Sequence, residues 1–367
     1  MAKFLSLSQA VEAHVRDGDT VAMEGFTHLI PNAAAHEIIR QKRKHLTLIR
    51  MTPDILYDQM IGMGCADKLV FSWGGNPGVG SLHRLREAVE SGWPNQLAIE
   101  EHSHAAMANA YEAGAANLPF AMLRGYIGAD LPKVNPNIKS ITCPFTGEKL
   151  AAVPAIRPDV AIIHALKADR AGNVYLEGIV GVQKEAVLAA KRSIVTVEEI
   201  VDDFGPRNAN AVILPSWTVS AIALVPGGAH PSYAHGYYKR DNAYYIAWDP
   251  IARDRDTFLA WMKTNVLEKG PEVFAETVKP LREKPAGIVQ TIAKAAAKLL
   301  GGAPAAKPRG AKPAKAAPKP VSKVKASAAK PGKAKAKKAS AAKKASKAKA
   351  KTKSRTPTRK TTRKKGR

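Results

Sequence analysis

The sequence predicts an α/β fold, a parallel-rich sheet with helices on both faces, followed by a disordered Lys/Ala/Pro-rich C-terminal tail. Three observations carry this. Strand and helix patterns alternate through residues 1–280. Strand-like runs such as "DVAIIHAL" are continuously apolar, which marks strands covered on both sides. Charge is split: residues 301–367 hold 25 Lys and Arg and no acid, leaving 32 basic against 31 acidic residues before them. The net +26 therefore belongs to the tail, and the body is close to neutral.

Each element follows from its pattern. "LSLSQAVEAHV" has apolar residues at three-and-four spacing and reads as a helix. "DGD" turns the chain into the short strand "TVAMEGF". "NAAAHEIIRQ" reads as a helix, with Asn32 as its expected cap. "LTLIRMT" is a strand, "DILYDQMIGMG" a helix and "KLVFSW" a strand. "SLHRLREAVESG" is a helix with Ser81 expected as cap and Gly92 as stop. "QLAIEEHS" is a strand and "AAMANAYEAGAA" a helix. Later come the buried run "DVAIIHAL", the strand "GNVYLEG", the helix "VQKEAVLAAKR" and the strand "SIVTVEEI". The apolar stretch "AVILPSWTVSAIALVPGGA" is broken by Pro, Ser and Thr, so it reads as buried strand and turn rather than a membrane span.

Three segments are expected: a body at 1–280, a linker or terminal helix at 281–300, and a tail at 301–367. The tail lacks the bulky apolar residues that offset chain entropy, and its like charges repel. Cys65 and Cys143 are the only cysteines. They exclude a disulfide framework and a cysteine-based zinc site, and they fit a reducing compartment. The N-terminus offers no apolar signal-like run, so a cytoplasmic location is expected.

Ligands of such sheets sit beyond the carboxyl ends of the strands. Three polar loops fall there: "EGFTHLIPN", "GGNPGVGS" and "EEHSHA". "GGNPGVGS" is either a phosphate cradle or a plain turn, and it lacks P-loop spacing. His102 and His104 share a face if the segment is extended, but no third ligand is spaced to complete a metal site. Glu24, Glu100 and Glu101 end strands, as chemical carboxylates or as loop braces. At Gly25, a missing Cβ lets backbone N–H groups face a ligand, as oxyanion stabilisation requires.

"DGDTVAMEGFTHLIP" resembles the glycine-loop signature of family I CoA-transferase A subunits. "NPGVGSLHRLREAVESG", "CPFTGEKLAAVPAIRPDVAIIHALKADRAGNV", "SIVTVEEIV" and "VPGGAHPSYAHGYYKRDN" follow in the order of the glutaconate type, so the likeness spans roughly residues 5–270. It implies an α/β CoA-transferase domain and acyl exchange between a CoA thioester and a carboxylic acid. The thioester is then a substrate, with no resident cofactor or metal. It also implies a partner chain, the CoA-transferase B subunit, that carries the nucleophilic glutamate. Residue by residue, it makes Gly25, Phe26 and Thr27 the oxyanion loop. It places Asn76, with Gly75, Gly78 and His28, against the substrate. Two departures stand out. Pro77 replaces the serine that follows the asparagine in glutaconate-type enzymes, and Glu24 stands where many members carry glycine.

A related branch hydrolyses a ring carbon–carbon bond of a CoA ester, and Glu101 matches its working glutamate. A CoA-dependent hydrolase is therefore the alternative, with Glu24 and Glu101 as candidate catalytic carboxylates. A third reading is a nucleic-acid-binding protein. The tail would hold polyanions by counterion release, without base stacking because it has no aromatic residue.

Overall fold

The computed structural model describes residues 2–78 and 80–282. The expected terminal helix beyond residue 282 and the basic tail lie outside the described residues.

The strands in chain order are β1 (Lys3–Phe4), β2 (Thr20–Glu24), β3 (Leu46–Arg50), β4 (Ala66–Phe71), β5 (Ala98–Glu101), β6 (Phe120–Leu123), β7 (Lys139–Thr142), β8 (Lys149–Pro154), β9 (Val160–Asp169), β10 (Val174–Leu176), β11 (Arg192–Val201), β12 (Val212–Leu214) and β13 (Ala221–Leu224). The main sheet runs β1-β13-β11-β9-β2-β3-β4-β5, with every neighbouring pair parallel. β10 turns back antiparallel on β9, and β12 on β10. The order reverses between β2 and β9. From β2 the chain steps outward to β5 and returns on the other side of β2 as β9, where Glu24 pairs with Ile163. A crevice opens at such a reversal because the connections leave in opposite directions.

The helices are α1 (Leu7–His14), α2 (Asn32–Arg40), α3 (Ile55–Gly62), α4 (His83–Glu90), α5 (His104–Ala115), α6 (Leu131–Val134), α7 (Gln183–Ala189), α8 (Asn242–Arg253), α9 (Arg255–Met262) and α10 (Glu272–Thr277). Strand alternation divides the core in two. Val21 and Met23 of β2 join Ala33, Ile38, Leu56, Trp248 and Phe258 on one face. Ala22 between them joins Met107, Tyr111, Ala186 and Val187 on the other. Burying each such Ile, Leu or Phe contributes about 1.5–3 kcal/mol, so both helix layers are held by the same short strands.

The expected stop at Gly92 is in place, and a cap that the sequence reading did not name forms at Ser6. Ser6 forms a reciprocal capping box with Gln9. Gly92 takes a φ of +72° just past α4, as a helix stop requires. Two expected caps are corrected. Pro31 stands at the N-cap position of α2. Asn32 instead donates its amide to the Ile30 and Ala229 carbonyls. Leu82 occupies the cap of α4, and the Ser81 N–H is taken by Asp249.

A small antiparallel sheet, β6-β8-β7, packs Ala121, Ala151 and Val153 on the alanine face of α5. No sequence reading assigned it.

Candidate active site

A cavity of about 300 Å³ opens beside the crevice. Its walls come from four places: Phe26, Thr27 and Ile30 after β2; Arg50, Thr52 and Asp54 after β3; Trp73 and Pro77 after β4; and His104, Arg240 and Tyr245 from the helical side. All three sheet segments lie at carboxyl ends of parallel strands; those after β2 and β4 belong to the loops expected there, and the one at the end of β3 was not singled out.

The loop after β2 is strained. Thr27 and Leu29 have φ of +60° and +52°. For a β-branched residue such as Thr27 the left-handed region is a genuine outlier, and surrounding contacts must hold it there. These contacts are on hand. Leu29 N–H donates to the Tyr233 carbonyl, and Ile30 N–H to Ser232 Oγ. His28 is fully buried between two segments: the His235 N–H donates to its Nε2 at 3.0 Å, and Ile179 O lies 3.3 Å from its Nδ1. An acceptor Nε2 requires a donor Nδ1–H, so the ring is neutral here. Burial agrees, pushing its pKa down to about 4.

Gly25 acts by close approach. A Cβ there would lie 2.7 Å from Leu29 O and 2.9 Å from His28 O. Gly25 is absent from the cavity lining, to which this loop contributes Phe26, Thr27 and Ile30. The N–H groups of Phe26 and Thr27 have no acceptor among the described residues. Those two amides sit on residues that line the cavity.

Glu24 is buried behind this loop and does not line the cavity. Its Oε1 accepts from Tyr111 O–H at 2.8 Å and Met51 N–H at 3.1 Å. Burial pushes its carboxyl up to about 7, against the Arg50 charge and the hydrogen bonds from Tyr111, Met51 and Gly25. Glu24 thus braces the loop from outside the cavity.

Asn76 is nine per cent exposed and also braces. It donates to the Tyr245 carbonyl at 2.8 Å and accepts from Gly78 N–H at 2.9 Å. Gly75 N–H goes to the Pro53 carbonyl. Of this loop it is Pro77 and Trp73 that reach the cavity. His102 and His104 do not share a face. His102 is buried against Glu100 at 2.8 Å, while His104 opens α5 and lines the cavity. Glu101 is exposed on the edge strand β5 and lines a different hollow. Among the described residues, no group of three or more His, Cys, Asp or Glu is arranged to hold a metal ion.

Sequence reasoning did not single out Arg50, Asp54, Arg240 or Tyr245. Arg50 did leave a signal, as a charge ending the apolar strand "LTLIRMT". It is one per cent exposed, pairs with Asp54 at 3.0 Å, and donates to the Gly25 carbonyl at 2.9 Å.

A mostly parallel, doubly covered sheet with a strained glycine loop at its reversal point defines a ligand-binding α/β enzyme body. The family model for Coenzyme A transferase matches residues 4–224. The A subunit of the 3-oxoadipate CoA-transferase of Pseudomonas knackmussii is 69% identical over 276 residues, covering 75% of this chain and 97% of that one. The A subunit of the glutaconate CoA-transferase of Acidaminococcus fermentans is 33% identical over 73% of this chain and 89% of its own length. The crystal structure of glutaconate coenzyme A-transferase from that organism superposes with a TM-score of 0.71 at 30% identity, over 78% of this chain and 97% of that one. The chain belongs to the coenzyme A transferase family.

Proposed function

We propose that this chain is the A subunit of a two-chain transferase that exchanges coenzyme A between a thioester and a free acid, with 3-oxoadipate as the acid. The 69% identity to the corresponding chain of a 3-oxoadipate CoA-transferase supports the substrate. The observation that carries the mechanism is the pair of unpartnered amides, Phe26 and Thr27, at the wall of the cavity. They would donate to the carbonyl oxygen of the thioester as it becomes an oxyanion. One such donor contributes about 3–4 kcal/mol in a water-poor site.

The nucleophile comes from the partner chain, the B subunit. Asp54 is the cavity's own carboxylate, and it is held by Arg50 and by the Leu56 N–H it caps. A carboxylate of the partner attacks the thioester carbon, the C–S bond breaks, and CoA leaves as thiolate. The mixed anhydride is then attacked by that thiolate at the partner's carboxyl carbon, which frees the first acid. Repeating the steps in reverse with the second acid completes the exchange. CoA thus enters as substrate, and no resident cofactor is required.

The hydrolase reading has less support, because Glu101 lies outside the cavity. The test is to purify the chain with its B-type partner and follow a CoA ester with and without acceptor acid. Exchange that depends on the acceptor is expected. Thioester loss without acceptor would overturn the transferase in favour of hydrolysis. Among the described residues no helix is long and apolar enough to cross a membrane. The two free cysteines support a cytoplasmic location. The charge of residues 301–367 supports salt-sensitive polyanion binding as a separate property of the tail.

A further inference from the structure

Two guanidinium side chains line the cavity, Arg50 and Arg240. Arg50 is matched by Asp54. Arg240 is not matched. Its guanidinium makes no ion pair or hydrogen bond among the described residues, and its Nε and Nη2 are buried without a partner. The adjacent acid, Asp241, is engaged elsewhere. It takes His230 Nε2 at 2.9 Å and caps α8 through the Tyr244 N–H at 3.0 Å. What holds Arg240 is the Tyr245 ring, with the guanidinium carbon 4.5 Å from the ring centre. Stacking fixes the plane of the fork while leaving its N–H donors unfilled.

Arg240 is half-buried, and two buried donors left unfilled on its guanidinium are costly unless a ligand fills them. The matching ligand is planar and anionic. In a cavity of about 300 Å³, walled by Phe26, Ile30, Trp73 and Tyr245, a carboxylate on a short carbon chain fits better than a nucleotide phosphate. We propose that Arg240 receives the far carboxylate of a dicarboxylic acyl group, the end opposite the thioester, and so selects diacids over monoacids. This rests on the transferase reading above and assigns it a specificity residue.

The test uses the complex with the B-type partner, with a six-carbon dicarboxylic acid and the six-carbon monocarboxylic acid as alternative acceptors. The wild type is expected to favour the diacid. Arg240→Met should lose about 100-fold in kcat/KM for the diacid and stay within about threefold for the monoacid, since charged hydrogen bonds of this kind are worth roughly 1.5–3 kcal/mol each. Arg240→Lys should recover part of the loss, keeping the charge without the fork. The monoacid rate doubles as a check that the variant is folded. Equal loss on both acids, with an unchanged thermal midpoint, would assign Arg240 to a CoA phosphate or to the scaffold and overturn the proposal. A wild type that exchanges CoA but ignores the second carboxylate would also overturn it. A wild type that exchanges CoA with neither acid ends the transferase reading as well.

Discussion

Glu24 makes the protein's stability depend on pH through one side chain. Its carboxyl titrates at 4.5 in the ordinary case and at about 7 in this fold. Between those values the folded chain holds a proton that the unfolded chain has lost. Stability from this group is therefore full below pH 4.5, falls as pH rises through 7, and then levels off. Glu24→Gln keeps an acceptor for Tyr111 and Met51 and removes the titration. Urea midpoints measured from pH 4.5 to 8 should slope less in the variant than in the wild type. Gly25→Ala addresses the same loop by sterics. Its new Cβ would meet Leu29 O at 2.7 Å, so the strained turn must shift and its amides with it. Loss of one oxyanion donor costs about 100-fold to 1,000-fold in kcat. The expected result is a drop of that size in acceptor-dependent exchange by a complex that still elutes intact.

At the scale of elements, the end of β3 and the start of α3 act as one unit. Asp54 caps α3 through the Leu56 N–H and neutralises Arg50, whose guanidinium holds the Gly25 carbonyl. Asp54→Ala removes the cap and leaves a buried cation unpaired, a combination that costs about 3–5 kcal/mol. Chemical denaturation should show a loss in that range, and exchange should fall because the loop after β2 loses its anchor. Elements whose pattern was strong were readable from sequence alone: β9 and β11 as long apolar runs, α1 from three-and-four spacing. The β6-β8-β7 sheet was not, because its strands are short and half exposed, with Phe120 and Met122 facing outward. The Gly25–Thr27 loop was found, but which of its residues reach the cavity was not, since that depends on how Arg50 and the segment at Tyr233 hold its backbone. Arg240 was hidden for a similar reason. Its freedom comes from Asp241 pairing with His230, and no spacing rule reports such a partner choice.

For the whole molecule, the near-neutral body and the basic tail divide the chemistry. Removing residues 301–367 strips 25 positive charges and no acid. Exchange should keep its kcat/KM, while retention on heparin or DNA at low salt should vanish, because that retention is counterion release. Collapse of turnover on truncation would refute the division. The buried His28 has a consequence for synthesis. It joins the loop after β2 to Ile179 and to His235, 151 and 207 positions further along the chain. A ribosome that has made only the first two hundred residues has therefore not yet produced one jaw of the clamp. The loop after β2 therefore gains its His235 support only as the last quarter of the folded body emerges.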